Sequence, residues 1–228
     1  MGKRFRFSLL LVLAAAMPAV AAIGTGYTLF GSATYVSPGN ASNRAVQLVS
    51  DANTGVYSGI DFAVPAGLTI NNLNLLSTDY NFTMGSCDLG SPRFGIVLSS
   101  DPNKAIFVYI GPPPSYTGCT TGWQNTGNLL TPASLVDSSQ YGGTFYQPWA
   151  AAQAQFSGQT VTDIFLVSDN GPSGTQTVQI DNTNVNGTLY TYEPTSKDDC
   201  KDGGWRSFTS APGPFKNQGQ CVSYFAKQ

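Results

Sequence analysis

The chain contains no histidine and only one glutamate, Glu193. Without histidine, Ser–His–Asp and Cys–His catalysis are excluded, as are a histidine general base and histidine ligation of zinc. One glutamate excludes a Glu–Glu glycosidase pair, although Asp–Asp and Asp–Glu pairs remain open. These absences favour a protein without catalytic activity over an enzyme.

Long apolar runs are also scarce beyond the N-terminus. Residues 1–22 combine three basic residues, a short apolar run and the cleavage motif Ala19-Val20-Ala21. This pattern is typical of a secretory signal peptide and not of a membrane span. No later apolar run is long enough to cross a bilayer. We therefore predict a secreted protein, outside the cell or at its surface.

Charged residues make up only 11% of the chain. After removal of the predicted signal peptide, eight basic and thirteen acidic residues leave a net charge of −5. This charge argues against a nucleic-acid-binding or anionic-membrane-binding surface.

There are only four cysteines. In an exported chain they predict two disulfides, and sequence neighbourhood favours Cys87–Cys119 and Cys200–Cys221 among the three pairings. A metal cluster is the alternative, against which the absence of CxxC spacing and of histidine argues.

Short apolar runs alternate with turns rich in Gly, Ser, Pro and Asp, a pattern typical of β-strands. We predict an all-β antiparallel sandwich of the jelly-roll type over residues 23–193. Runs 73–82, 92–98 and 104–110 predict a β-meander, and Asn186-Gly187 predicts a hairpin turn. Residues 147–156 predict the single helix of this body.

In the first predicted hairpin of that meander, Asp79 would lie opposite Arg93 if the turn centres near Ser86. The pair would form a charge-assisted hydrogen bond. One interpretation is a structural ion pair that fixes the strand register, and the other is a ligand-binding pair in a cleft.

Residues 111–149 form a long excursion rich in aromatic and amide side chains. Aromatic faces beside amides suit a neutral sugar ring, which needs an apolar platform and hydrogen bonds. We predict that Tyr116 and Trp123 stack on the ring and that Gln124 and Asn125 bond its hydroxyls. The alternative is that these aromatic residues close the open end of the sandwich.

Asp169, Asn170 and Asp181 flank a turn between two late strands. Such oxygen ligands suit Ca²⁺, while ordinary turn hydrogen bonding is the alternative. No other cofactor is predicted.

The segment 194–228 has a different character and is predicted to be a helical tail. Ser196 with Asp199 forms a capping-box pattern, and Asn217 is placed to cap a second helix that extends through Phe225. The predicted Cys200–Cys221 disulfide would join the two.

The body contains the strings LSTDYNFT, GSPRFGI and FVYIGPPPSYTGC, and the tail has the form CKxGGW…FKNQGxCVSY, here CKDGGW and FKNQGQCVSY. In these strings the chain resembles a group of exported bacterial proteins of unassigned activity. It implies an exported bacterial origin and transfers no catalytic residues. The late run VQIDNTNVNG also resembles jelly-roll and lectin-like carbohydrate-binding sandwiches.

From these features we predict a non-catalytic extracellular module that binds glycan or cell-envelope polysaccharide. The first alternative is an exported surface or matrix protein whose tail mediates attachment or self-association. A weaker alternative is a polysaccharide hydrolase or lyase that uses Asp79 and Arg93. The sequence leaves the ligand and the oligomeric state open.

Overall fold

The computed structural model describes residues 26–88, 90–169 and 174–227, so the predicted signal peptide of residues 1–22 lies outside the described residues. Two antiparallel sheets carry most of the fold. The strands are β1 (Tyr27–Gly31), β2 (Thr34–Val36), β3 (Ala45–Asp51), β4 (Ser58–Phe62), β5 (Leu76–Met84), β6 (Arg93–Leu98), β7 (Ile106–Tyr109), β8 (Gln124–Asn125), β9 (Leu135–Val136), β10 (Gln147–Pro148), β11 (Val161–Ser168), β12 (Thr175–Val185) and β13 (Thr188–Tyr190).

Sheet I has the strand order β1-β4-β11-β6-β7, and sheet II has the order β2-β3-β12-β5-β8, with β13 paired to β12. Strands β3 to β6 alternate between the two sheets, and so do β11 and β12. This crossing pattern is that of a jelly roll. The predicted all-β antiparallel sandwich of the jelly-roll type is therefore confirmed.

The core fills the space between the inward faces of the two sheets. In sheet I, Ile60, Leu166 and Phe94 lie side by side on neighbouring strands and are fully buried. They belong to the same apolar cluster as Val178 and Ile180 of sheet II. Burial of each such side chain contributes on the order of 1.5–3 kcal/mol, and the cluster therefore holds the two sheets together.

The predicted meander is only partly correct. Strands β6 and β7 form the expected antiparallel pair, with Arg93 opposite Tyr109. Strand β5, however, pairs with β12 and β8 in sheet II, while β6 lies in sheet I. The turn after β5 crosses between the sheets because successive jelly-roll strands alternate in this way, so β5 and β6 are not hairpin partners.

Two local signals are borne out. Strands β12 and β13 form a tight hairpin with Val185 opposite Thr188. Asn186 and Gly187 have φ values of 50° and 97°, which suit the two-residue turn that Asn-Gly favours. The predicted helix of the body is α1, which spans Trp149–Gln155 and buries Trp149 and Ala152, and the body also contains the short 3₁₀ helices Ile70–Asn72 and Ser139–Tyr141.

The tail is built as predicted. Ser196 and Asp199 form a capping box on the 3₁₀ helix Lys197–Cys200, and Asn217 caps helix α2, Gln218–Phe225. A second 3₁₀ helix spans Gly204–Ser207. The Cys200–Cys221 disulfide is formed, and both cysteines belong to a small apolar cluster with Phe208 and Phe215.

The tail docks on the sandwich through polar contacts. Arg44, just before β3, donates from Nη1 to Asp199 Oδ1 of the tail at 2.8 Å, and its Nε is held within the sandwich by the Tyr192 carbonyl at 2.6 Å. Asn43 donates to the Ala211 carbonyl at 2.8 Å and accepts from the Ser210 amide at 2.6 Å. Among the residues that the structure describes, no helix is long and apolar enough to span a membrane.

Candidate functional site

An open groove of about 580 Å³ lies where the edge strands β7 and β8 leave one side of the sandwich uncovered. Strands β5, β7 and β8 supply one part of its lining, and the excursion supplies the rest. The lining residues are Tyr80, Val108, Tyr109, Ile110, Gly111, Pro112, Pro113, Tyr116, Gly118, Cys119, Thr120, Asn125, Thr126, Asn128, Leu129, Ala133, Ser134 and Leu135.

A cluster of aromatic rings supports one wall of the groove, which Tyr109 and Tyr116 line and which Phe145 and Tyr146 back. The ring centroids of Tyr109 and Tyr116 are 4.2 Å apart, and Tyr146 stacks on Tyr116 at 5.9 Å. Phe145 packs against the rings of both Tyr109 and Tyr116. Tyr109 also donates a hydrogen bond to Asp137 Oδ2 at 3.0 Å, which fixes the base of the cluster.

The hydroxyl group of Tyr116 has no hydrogen-bond partner among the described residues, although the side chain is only 3% exposed. Burial is the main cause that raises the pKa of Tyr116 to about 12, followed by the charges of Tyr146 and Asp137. The phenol therefore stays protonated at neutral pH. An unpaired buried hydroxyl is costly, and such groups are rare in folded proteins.

The excursion is held in place by a covalent bond and by backbone contacts. The predicted Cys87–Cys119 disulfide is formed and ties the excursion to the loop that follows β5. Ser86 Oγ donates to the Cys119 carbonyl at 2.7 Å beside this bridge. Tyr146 donates from its hydroxyl to the Pro114 carbonyl at 2.7 Å, so the aromatic wall also anchors the proline-rich turn.

The structure separates the four predicted binding residues. Tyr116 and Asn125 line the groove, whereas Trp123 is half-buried and Gln124 exposed outside this lining. Tyr116 is a buried part of the wall and not an open stacking platform, because its ring is covered by its aromatic neighbours. The amide of Asn125 is already engaged, since Nδ2 donates to Asp79 Oδ1 at 2.6 Å.

Sequence reasoning missed Tyr80. It lies on β5 opposite Ile180, on the inward side of sheet II, and its ring reaches the groove at the rim of the core. The period-two alternation of a strand places Tyr80 and Phe82 on the same face of β5. Only the pairing of β5 with the edge strand β8 shows that Tyr80 borders an opening.

The predicted Asp79–Arg93 ion pair is wrong. Arg93 pairs with Asp169 in sheet I, and its guanidinium lies 4.5 Å from the centre of the Phe107 ring. Asp79 lies in sheet II and faces away from the core, as its alternation with Tyr80 requires. The error follows from the crossing between sheets after β5, which separates the two residues.

Asp79 instead receives hydrogen bonds from three asparagine amides. Asn40 and Asn182 donate to its Oδ2 at 2.8 and 2.7 Å, and Asn125 donates to Oδ1. Asn182 reaches Asp79 because β12 shifts register after Asp181, and its φ of 46° lies in the left-handed region. The carboxylate is buried and fully hydrogen bonded, which is the arrangement of a structural group.

Asp181 lies directly opposite Asp79 and is also buried. It accepts hydrogen bonds from Ser42 Oγ at 2.6 Å and from the Asn40 backbone amide at 2.8 Å. Burial is the main cause that raises the pKa of Asp181 to about 6, against the effect of these donors. The loop before β3 thus covers two carboxylates on the outer face of sheet II.

The residues predicted to suit Ca²⁺ have separate partners. Asp169 pairs with Arg93, Asp181 bonds the Ser42 hydroxyl, and Asn170 lies outside the described residues. In the part of the chain that the structure describes, no group of three or more Asp, Glu, Cys or His side chains is placed to hold a metal ion.

Comparisons with known proteins identify no family for the chain. No protein-family model matches the chain, and no curated protein matches it. A solved structure with similarity is the xyloglucanase domain of NopAA, a type three effector from Sinorhizobium fredii, in complex with cellobiose. It is 14% identical, with a TM-score of 0.31 over 72% of this chain and 94% of that chain. A similarity this low carries no argument about function.

Proposed function

We propose that the protein is a non-catalytic extracellular module that binds a neutral glycan in the groove beside the excursion. The observation that carries the proposal is the chemistry of the groove lining. Tyrosine rings and aliphatic side chains supply apolar surface, while Asn, Thr and Ser side chains supply neutral hydrogen-bonding groups. A sugar presents the complementary mixture of apolar ring faces and hydroxyls.

The same lining favours binding over acid–base chemistry. Its polar side chains are neutral at physiological pH, and Asp79, the carboxylate that Asn125 contacts, is buried and accepts hydrogen bonds from three asparagine amides. The two disulfides fit the oxidising environment of an exported protein.

A blocking substitution tests the groove directly. Ala133 is exposed and lines the groove, so Ala133→Trp should fill it without disturbing the core. Titration with soluble β-1,4-linked gluco-, manno- and xylo-oligosaccharides should show saturable binding to the wild type and a loss of about tenfold or more in affinity for the variant. Ala151→Trp, at an exposed position on α1, is the matched control and should bind like the wild type.

A third variant distinguishes the groove from the site predicted from sequence. Trp123 lies outside the groove lining, so Trp123→Ala should retain binding if the groove is the site. Loss of binding in Trp123→Ala with full binding in Ala133→Trp would reject the groove and favour the surface around β8. If the wild type binds none of these oligosaccharides, the proposal that the groove binds a neutral glycan is wrong.

One observation favours attachment through the tail as a second candidate function. The tail carries a shallow depression of about 520 Å³ lined by Pro212, Pro214, Phe215, Gln220, Ser223, Tyr224 and Lys227. Tyr224 is 39% exposed there. Retention on the surface of the producing cell should then fall in a chain that ends at residue 193, while oligosaccharide binding in the groove should persist.

A further inference from the structure

The outward face of sheet I carries phenylalanine rings where a sheet surface exposed to water usually carries polar side chains. Strand alternation places Phe62, Ile164 and Ile96 inside, so the neighbouring Phe165 of β11 points outward, as does Phe30 of β1. Both rings are partly exposed. They lie on the side of the sheet opposite to the core and cannot contribute to it.

Two glycines let these rings lie flat on the sheet. A Cβ atom at Gly59 would sit 2.2 Å from Phe30 Cζ, and one at Gly95 would sit 2.1 Å from Phe165 Cζ. Each ring therefore extends sideways over the backbone of the neighbouring strand, β4 or β6. Any side chain at these glycines would lift the ring off the sheet, so the two Phe–Gly pairs together make a flat apolar platform.

The two rings are separated by two strand positions. β1 and β11 flank β4, and adjacent strands lie about 4.7–4.9 Å apart, so the rings are about 10 Å apart across the sheet. Phe30 shares a cross-strand row with Gly59 and Val167, two residues along β11 from Phe165, which adds about 7 Å along the strands and gives a separation of about 12 Å. In an extended β-1,4-linked polysaccharide each sugar is rotated by half a turn relative to the previous one, so every second ring presents the same face, at a repeat of the same order as this oblique separation.

Hydrogen-bonding groups lie beside the rings. Asp61 sits between Thr28 and Phe165 in the same cross-strand row, and its carboxyl group hydrogen bonds to that of Asp163. The pair offers acceptor oxygens at the level of the platform. Carboxyl groups beside an aromatic face suit the equatorial hydroxyls of a sugar whose ring stacks on that face.

We infer that the outward face of sheet I is a second glycan-binding surface, on which a β-1,4-linked polysaccharide chain stacks across the strands on Phe30 and Phe165. In its ligand class this inference rests on the proposed function. It assigns the two surfaces different forms of that ligand, because the groove encloses a short soluble chain whereas a flat face suits the exposed chains of an insoluble polysaccharide.

The test measures how the protein partitions between solution and microcrystalline cellulose, insoluble xylan and chitin. Phe165→Leu keeps apolar cover over Gly95 but removes the flat ring, and it should weaken binding to the insoluble probe about tenfold. Phe30→Leu, on the edge strand β1, should do the same and serves if the first variant folds poorly. Leu189→Ala, at an exposed apolar position on β13 of sheet II, lies outside both proposed surfaces and the tail, so it is the control and should bind like the wild type.

The outcomes separate the two proposals. Loss of insoluble binding in the leucine variants, with soluble oligosaccharide binding unchanged, supports the flat face. Equal partition of the wild type and both leucine variants, or no partition of the wild type onto any of the three probes, overturns it. If Ala133→Trp loses binding to soluble oligosaccharides but still partitions onto the insoluble probes, that loss concerns the groove and does not change the conclusion about the flat face.

Discussion

At the scale of single residues, the carboxyl group of Asp61 makes stability depend on pH. Burial, followed by the charge of Asp163 and the hydrogen bond between the two groups, raises the pKa of Asp61 from 3.8 to about 7. Between these values the native protein holds a proton that the unfolded chain releases. The free energy of unfolding should therefore decrease as the pH rises from about 4 to about 7.

Asp61→Asn removes this titration while keeping an amide that can bond Asp163. Denaturant unfolding at about pH 4.5 and about pH 7.5 should show a smaller loss of stability with rising pH in the variant than in the wild type. Thr28→Val changes the cross-strand neighbour of Asp61 without altering any charge, so it should follow the wild-type profile. An unchanged pH profile in Asp61→Asn would contradict the prediction.

The amide donors of Asp79 lead to a second prediction at this scale. Asn125→Ala removes one of three donors from a buried carboxylate and should lower the free energy of unfolding by about 1–3 kcal/mol. Gln124→Ala, the exposed neighbour on β8, should change it by less than about 0.5 kcal/mol. Similar values for both variants in denaturant titrations would show that the contact to Asp79 is not structural.

At the scale of elements, the signals that were read correctly are local ones. Asn186-Gly187 selects a tight hairpin by its backbone conformation, and Ser196 and Asn217 cap their helices through bonds to residues two or three positions away. The partner of β5 could not be predicted in this way. A turn rich in Gly and Ser has the same composition whether the chain returns in one sheet or crosses to the other.

For the candidate site, too, local features could be predicted from the sequence and strand neighbours could not. The long aromatic and proline-rich connection is a local feature that the sequence displays, and it does border the groove, but Tyr116, predicted to stack on a sugar ring, lies buried in the wall. Tyr80 and the flat position of Phe165 over Gly95 depend on which strands become neighbours, and strand order is set by the packing of the whole sandwich.

The Cys87–Cys119 disulfide supports a prediction about the excursion. The loop it closes spans a sequence separation of 32, for which the chain-entropy model gives a stabilisation of about 3–4 kcal/mol. Cys87→Ala/Cys119→Ala should lower stability by about this amount and should open residues 111–146 to limited proteolysis. Because Cys119 lines the groove, oligosaccharide affinity should also fall.

Cys200→Ala/Cys221→Ala is the matched control, since it removes a comparable bridge from the tail. Cleavage in that variant should be confined to the region after residue 194, with groove binding preserved. If removing the tail disulfide impaired oligosaccharide binding as much as removing Cys87–Cys119, the excursion would not be the element that forms the site.

At the scale of the whole molecule, the tail and the sandwich have separate apolar clusters joined by polar contacts. Arg44 is a central contact: within the sandwich it bonds the Tyr192 and Glu193 carbonyls and lies 4.0 Å from the centre of the Tyr35 ring, and across to the tail it pairs with Asp199. The Arg44 side chain is 16% exposed, so these contacts are shielded from solvent. A shielded charge that loses its partners costs more than a surface pair.

Arg44→Met should therefore release the tail while the sandwich stays folded, because the core of each part is independent of this residue. Limited proteolysis should cut faster near residue 194, and small-angle scattering should show a larger radius of gyration. Arg44→Lys keeps the charge but loses the planar fork that reaches three partners, so it should fall between the wild type and Arg44→Met. Lys104→Met breaks the exposed pair with Asp101 and should leave both measurements unchanged.

Wild-type cleavage rates in Arg44→Met would show that the tail is held by contacts other than Arg44. The contacts of Asn43 with Ser210 and Ala211 would then be the next to remove.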